Sequence, residues 1–155
     1  MNLLTTFFLS FSHWVIIAPL IILGYCLISR RIFCHALCLL ALGILLNIIL
    51  KNIFQIPLSP ALGKEGFAFP SGHMQVATVL YGWLAFNIKN IWVRLSIVII
   101  LLGVGFSLVH AGYHNYYDVF GGVFFGALLI GLYYVSVKKY QFSRVTAFLN
   151  NSSKD

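Results

Sequence analysis

The chain has 155 residues, the length of one domain, of which 61% are hydrophobic and only 8% charged, whereas soluble proteins average about half apolar and about a quarter charged. That composition excludes an ordinary soluble domain and defines a membrane protein. The formal charge of +7 comes from ten Lys and Arg against three Asp and Glu. These cations sit singly or in pairs at the ends of apolar runs, which is the positive-inside pattern and not the basic stripe of a nucleic-acid surface.

A spanning helix needs about 20 mostly apolar residues, since each adds about 1.5 Å toward about 30 Å of hydrocarbon. Five segments meet this requirement, and the expected fold is an all-α polytopic bundle of about five transmembrane helices. The first covers 13–29, with Trp14 as an interface anchor and Pro19 as a kink near its start. Residues 2–12 are apolar enough to lengthen that helix or to lie along the surface. No basic stretch precedes this first run, so it is expected to stay as an anchor and not to be cleaved. Arg30 and Arg31 close it, and a second span covers 33–50, ending at Lys51.

Residues 52–70 form the one long non-spanning stretch, with Pro57, Pro60, Gly63, Lys64, Glu65 and Gly66. A loop of that length in so small a protein is more often functional than idle. The third span covers 71–87, the fourth 92–110 and the fifth 119–137, with a loose cytoplasmic tail expected over 139–155. Gly122 and Gly126 make a GxxxG in the fifth span, read as close packing inside the bundle in preference to a homo-oligomer seam. Gly103 and Gly105 are read the same way. Cys26, Cys34 and Cys38 are an odd set without CxxC spacing, read as buried thiols acting as small hydrophobes.

Five spans place the two ends of the chain on opposite sides and sort the charges. One face collects Arg30, Arg31, Lys89, Arg94, Lys138, Lys139, Arg144 and Lys154; the other collects Lys51 and Lys64. The richer face is expected to be cytoplasmic, with the N-terminus outside and the C-terminus inside. His73, His114 and Asp118 then share the outer face, together with the 52–70 loop.

Chemistry concentrates in two polar breaks. One is Phe69-Pro70-Ser71-Gly72-His73-Met74, and the other is Ser107-Leu108-Val109-His110-Ala111-Gly112-Tyr113-His114-Asn115-Tyr116-Tyr117-Asp118. Together they hold three of five histidines and one of three acidic residues. One imidazole to give a proton, a second to attack and a carboxylate to fix the attacker's tautomer are the parts of covalent histidine catalysis. His13 and His35 are read as surface or packing residues. The spacing of His110, His114 and Asp118 also suits a metal set, a lesser reading because Asp118 cannot easily both ligate and orient. Tyr113, Tyr116, Tyr117, Trp83 and Trp92 are assigned to interface belts.

In order, Lys51 at the end of a span, Pro70-Ser71-Gly72-His73, and Ser107 followed by His114 and Asp118 resemble the motifs of the type 2 phosphatidic acid phosphatase (PAP2) family, within the superfamily of vanadium haloperoxidases. The resemblance covers about 51–122 of a single membrane domain. It departs from the family pattern at two places: Leu58-Ser59 stands where the first motif has Arg-Pro, and Leu108 stands where the third has Arg. A guanidinium fork is the side chain best suited to phosphate oxygens, which leaves Lys51 as the one motif cation.

The resemblance implies a metal-independent, cofactor-free phosphatase of the cell membrane, with its site on the extracytoplasmic side. His114 would attack phosphorus, Asp118 would hold the second ring proton of His114, and His73 would protonate the leaving oxygen. Ser71 and Gly72, with the amides opening the third span, would bind phosphate along with Lys51. Lys64 and His110 are candidates to stand in for the absent arginines. The expected substrate is a lipid phosphate or diphosphate: phosphatidate, a phosphatidylglycerol phosphate, an isoprenoid diphosphate and a sphingoid phosphate all fit. The alternatives are a phosphotransferase to another lipid and an inactive relative that binds headgroups or serves as a scaffold.

Overall fold

The structure, a computed structural model, describes residues 2–58 and 65–152, with 141–152 described as backbone only. Among the described residues the protein is all-helical: α1 (Leu3–Ser10), α2 (Trp14–Leu27), α3 (Arg30–Phe54), α4 (Gly72–Asn87), α5 (Ile91–His110) and α6 (Tyr116–Ser152). Each expected span is a helix. Side-chain oxygens at N-cap positions fix three of the starts. Ser29 accepts from Ile32 N, Ser71 from Met74 N and Asn90 from Trp92 N, each satisfying an amide that has no partner within its own helix.

Among the described residues three helices are long and apolar enough to cross a membrane: α3, α5 and the 116–140 part of α6. The segment before the first span becomes a helix of its own. α1 and α2 pass the same length and composition test only as a pair, bent by 44° at the Phe11–His13 break. At 16 residues α4 is the short one, about 24 Å at about 1.5 Å per residue. More than half of its residues are buried, and it packs against α3, α5 and α6. An apolar helix buried on all sides is a core element, and α4 is the post round which the others stand.

Glycines set the closest approach. At Gly122 an added Cβ would lie 2.8 Å from Ser71 O and 3.0 Å from Met74 Cβ, and at Gly126 it would meet Thr78 at 3.0 Å. The GxxxG of α6 is therefore a seam against α4 of the same chain. Phe8 of α1 lies on Gly103 of α5 in the same way.

The outward faces are apolar, as helices facing lipid require: Val15, Leu27, Leu102, Phe106, Phe120 and Leu132 are all exposed. This corrects the reading of the cysteines. Cys26, Cys34 and Cys38 are free but exposed; in a bilayer a small apolar side chain gains little by facing inward. α6 also continues as helix through Ser152, past the expected end of the fifth span, because 138–152 contains neither Pro nor Gly to stop it.

Candidate active site

The described parts of the 52–70 stretch fold back on themselves. Pro57 and Phe67 form an antiparallel bridge, Leu58 N donates to Gly66 O at 3.0 Å and Ala68 N to Ile56 O at 2.7 Å. Lys51, in the last turn of α3, donates from Nζ to Phe67 O at 2.7 Å. The cation of the first motif thus pins the loop beside the α4 N-terminus.

Below it lies a polar network within the bundle. Asn47 Nδ2 donates to Pro70 O at 3.2 Å and to Gln75 Oε1 at 2.8 Å, and Gln75 Nε2 donates to Gly43 O at 3.1 Å. Both side chains are buried. Amides in an apolar interior must be satisfied, so these bonds fix the register of α3 against α4 and hold Pro70 where Ser71 can open α4. Gly72 fits against Asn47, whose Oδ1 would be 3.1 Å from an added Cβ.

The second polar break is shaped by local capping. Gly112 takes φ +74, which a side chain would strain, and turns the chain out of α5. Tyr113 N and His114 N both donate to Leu108 O, at 3.1 and 3.3 Å. α6 then opens on a reciprocal pair: Asp118 N donates to Asn115 Oδ1 at 2.9 Å and Asn115 N to Asp118 Oδ2 at 3.1 Å, the logic of a capping box. Ser71 N donates to Asp118 O at 2.9 Å. That bond ties the two motif segments together across the bundle.

Asp118 is buried, 3% exposed, and its Oδ2 lies 3.5 Å from His114 Nδ1. Among the described residues Nδ1 has no closer partner. The separation is at the outer limit of a hydrogen bond, a looseness common in sites without substrate. Burial holds the His114 imidazole below its ordinary pKa, with the Asp118 carboxylate pulling upward and the Lys51 charge pushing down. A neutral ring whose Nδ1 faces a carboxylate keeps its proton there and leaves Nε2 free as a nucleophile.

A cavity of about 420 Å³ joins these parts. Lys51, Gly72, His73 and His114 line it, with Asn47, Leu58, Ser12, His13 and Trp14. The His13 and His73 rings meet edge to face, 5.1 Å between centroids. Ser71 is fully buried just behind it, supplying the α4 cap. His110 is not brought to the cavity. It is exposed and stacks on Phe106 at 5.6 Å, and among the described residues no group of three His, Cys, Asp or Glu side chains is placed to hold a metal ion. Lys64 lies outside the described residues.

The two positions that depart from the motif pattern differ in environment. Leu58 lines the cavity, whereas Leu108 is 1% exposed and belongs to the apolar core. Two lining residues were not singled out from the sequence: Asn47, and His13, which was read as a surface or packing residue and is exposed with its ring against His73. Asn47 carried a signal, a polar side chain among the last residues of an apolar span. His13 carried none that is local, because its neighbour lies sixty residues further on.

The bundle and cavity define an integral membrane protein with a histidine–carboxylate site at one end of its helices. The chain belongs to the PAP2 superfamily, whose pattern matches residues 19–142. Two solved structures share the fold. The first transmembrane PAP2 type phosphatidylglycerolphosphate phosphatase from Bacillus subtilis is 26% identical, with 87% of this chain and 75% of that one covered and a TM-score of 0.73. LpxE of Aquifex aeolicus is 22% identical, with 89% and 87% covered and a TM-score of 0.73. No curated protein matches the chain.

Proposed function

We propose that the protein is a membrane phosphatase that hydrolyses a lipid phosphate or diphosphate through a phosphohistidine. The observation that carries this reading is that His114, backed by the buried Asp118, opens with His73 and Lys51 into one cavity. His114 Nε2 attacks phosphorus as the bond to the leaving oxygen breaks, and His73 gives that oxygen a proton. Water then attacks the phosphohistidine, giving its proton back to His73, and releases orthophosphate and neutral His114. Asp118 holds the Nδ1 proton throughout. Lys51 and the first amides of α4 bind the phosphoryl oxygens as charge shifts among them. The scheme needs no metal ion.

A lipid substrate is favoured by the setting. The cavity sits at the end of apolar helices whose outer faces meet the bilayer, so a substrate tail lies in lipid while its headgroup enters. The named activity of the Bacillus subtilis relative makes phosphatidylglycerol phosphate the first substrate to test. The distribution of cations supports a cavity on the extracytoplasmic side of a cell membrane, opposite Arg30, Arg31, Lys138 and Lys139.

One observation favours a second reading, an inactive headgroup binder: both positions where the family motifs carry arginine are leucine. Phosphate release by the purified protein from a panel of phospholipid monoesters and prenyl diphosphates separates the two. Release that disappears in His114→Ala supports the phosphatase; none from any substrate supports the binder.

A further inference from the structure

We propose that His13 is a substrate-binding residue of this site, a third imidazole that takes a phosphate oxygen where the family motifs would supply arginine. The inference rests on the phosphate-ester reading above and names a residue outside all three motifs.

Its position is built. The corner between α1 and α2 is fastened to the core: Tyr81 OH of α4 donates to Phe11 O at 2.8 Å, and buried Ser12 donates from Oγ to Leu9 O at 2.8 Å. α1 is itself held on α5 through Phe8 and Gly103. His13 follows directly, occupies the N-cap of α2, and makes no capping bond with its side chain. The ring instead lies in the cavity wall, 5.1 Å from the ring of His73.

The site also needs another donor. A phosphoryl group at His114 presents several anionic oxygens, and Lys51 already gives one N–H to Phe67 O. Ser12 and Asn47 spend their donors on Leu9, Pro70 and Gln75. Leu58 offers none, and Leu108 faces the core. Of the remaining lining residues, His73 and His114 carry the reacting roles, which leaves Trp14 and His13. Of this described pair only His13 can bring a positive charge, and it stands beside the residue that protonates the leaving oxygen. Although His13 is exposed, a charged N–H bond to an anion is stronger than a neutral one.

The test compares purified wild type with His13→Phe, His13→Asn and His13→Arg, by calorimetric titration with inorganic phosphate and by steady-state kinetics on phosphatidylglycerol phosphate. His13→Phe keeps an aromatic ring against His73 and removes the N–H. His13→Asn suits an N-cap and guards against a folding defect in the bulkier variant. The expected result is phosphate binding about tenfold weaker in both, with KM raised about as much, kcat changed less, and His13→Arg close to wild type. Wild-type affinity and KM in His13→Phe would reduce His13 to a packing partner and overturn the proposal. If no variant hydrolyses any lipid yet phosphate binding still falls in His13→Phe, the assignment of His13 stands and the hydrolytic reading fails. A wild type that binds no phosphate overturns both.

Discussion

The bundle has a cavity at each end, and their contrast bears on what the proposed chemistry requires. They are equal in size, about 420 Å³ beside His73 and His114 and about 410 Å³ at the opposite end, where Ser29, Arg31, His35, Trp83, Asn87 and Lys138 are among the lining residues. Both hold histidine and a cation. At the far end His35 Nδ1 is bonded to Tyr133 OH at 2.7 Å and its ring packs on Trp83, while among the described residues no carboxylate pairs with it. At the near end His114 faces a buried carboxylate, and among the described residues its remaining ring nitrogen has no such anchor. What separates the two is the buried carboxylate beside one imidazole, not the number of histidines.

Breaking that orientation sharpens the contrast most. His114→Ala is expected to lower phosphate release by about a thousandfold or more, measured on purified protein with the best lipid of the panel. Asp118→Asn, which keeps size but lets the ring adopt the wrong tautomer, should cost about a hundredfold or more in kcat. Lys51→Ala removes the remaining motif cation and should cost about tenfold to a hundredfold in kcat/KM. A smaller loss in any of these variants weakens the role given to its residue.

Acidity probes the same pair. Because burial lowers the His114 pKa, the ring stays neutral, and able to attack, to below the ordinary imidazole value of about 6.5. The acid limb of kcat/KM should therefore fall below that value, activity being lost as pH drops through it and Nε2 takes a proton. Asp118→Asn removes the main upward influence on the ring, so the limb should move lower still. The smallest effect belongs to the far end. His35→Ala should leave activity within about twofold and cost about 1 kcal/mol of stability for the lost Tyr133 bond, read from thermal unfolding in detergent.

The contrast was partly legible in the sequence. Apolar runs gave the helices, and the spacing of His114 and Asp118 gave the pair, because four residues across a helix start is a local relation that sequence encodes directly. Close packing of Gly122 and Gly126 also followed from residue type, though their partner, α4, did not. Relations across the bundle were hidden. Nothing near His13 foretells that a 44° bend lays it over His73, and nothing near Leu58 and Leu108 foretells that one lines the cavity while the other joins the core. The exposure of the cysteines was misjudged for a physical reason: burial patterns learned in water do not hold where the solvent is lipid.

The central claim is that His114 becomes covalently phosphorylated, and acid-labile phosphohistidine is directly observable. Protein mixed with a lipid bearing a radiolabelled phosphate, quenched in alkali within milliseconds and mapped by mass spectrometry, should carry the label on His114 in wild type. It should carry none in His114→Ala. Hydrolysis that proceeds at full rate with no label on His114 at any time, or with the label on another residue, would contradict the account.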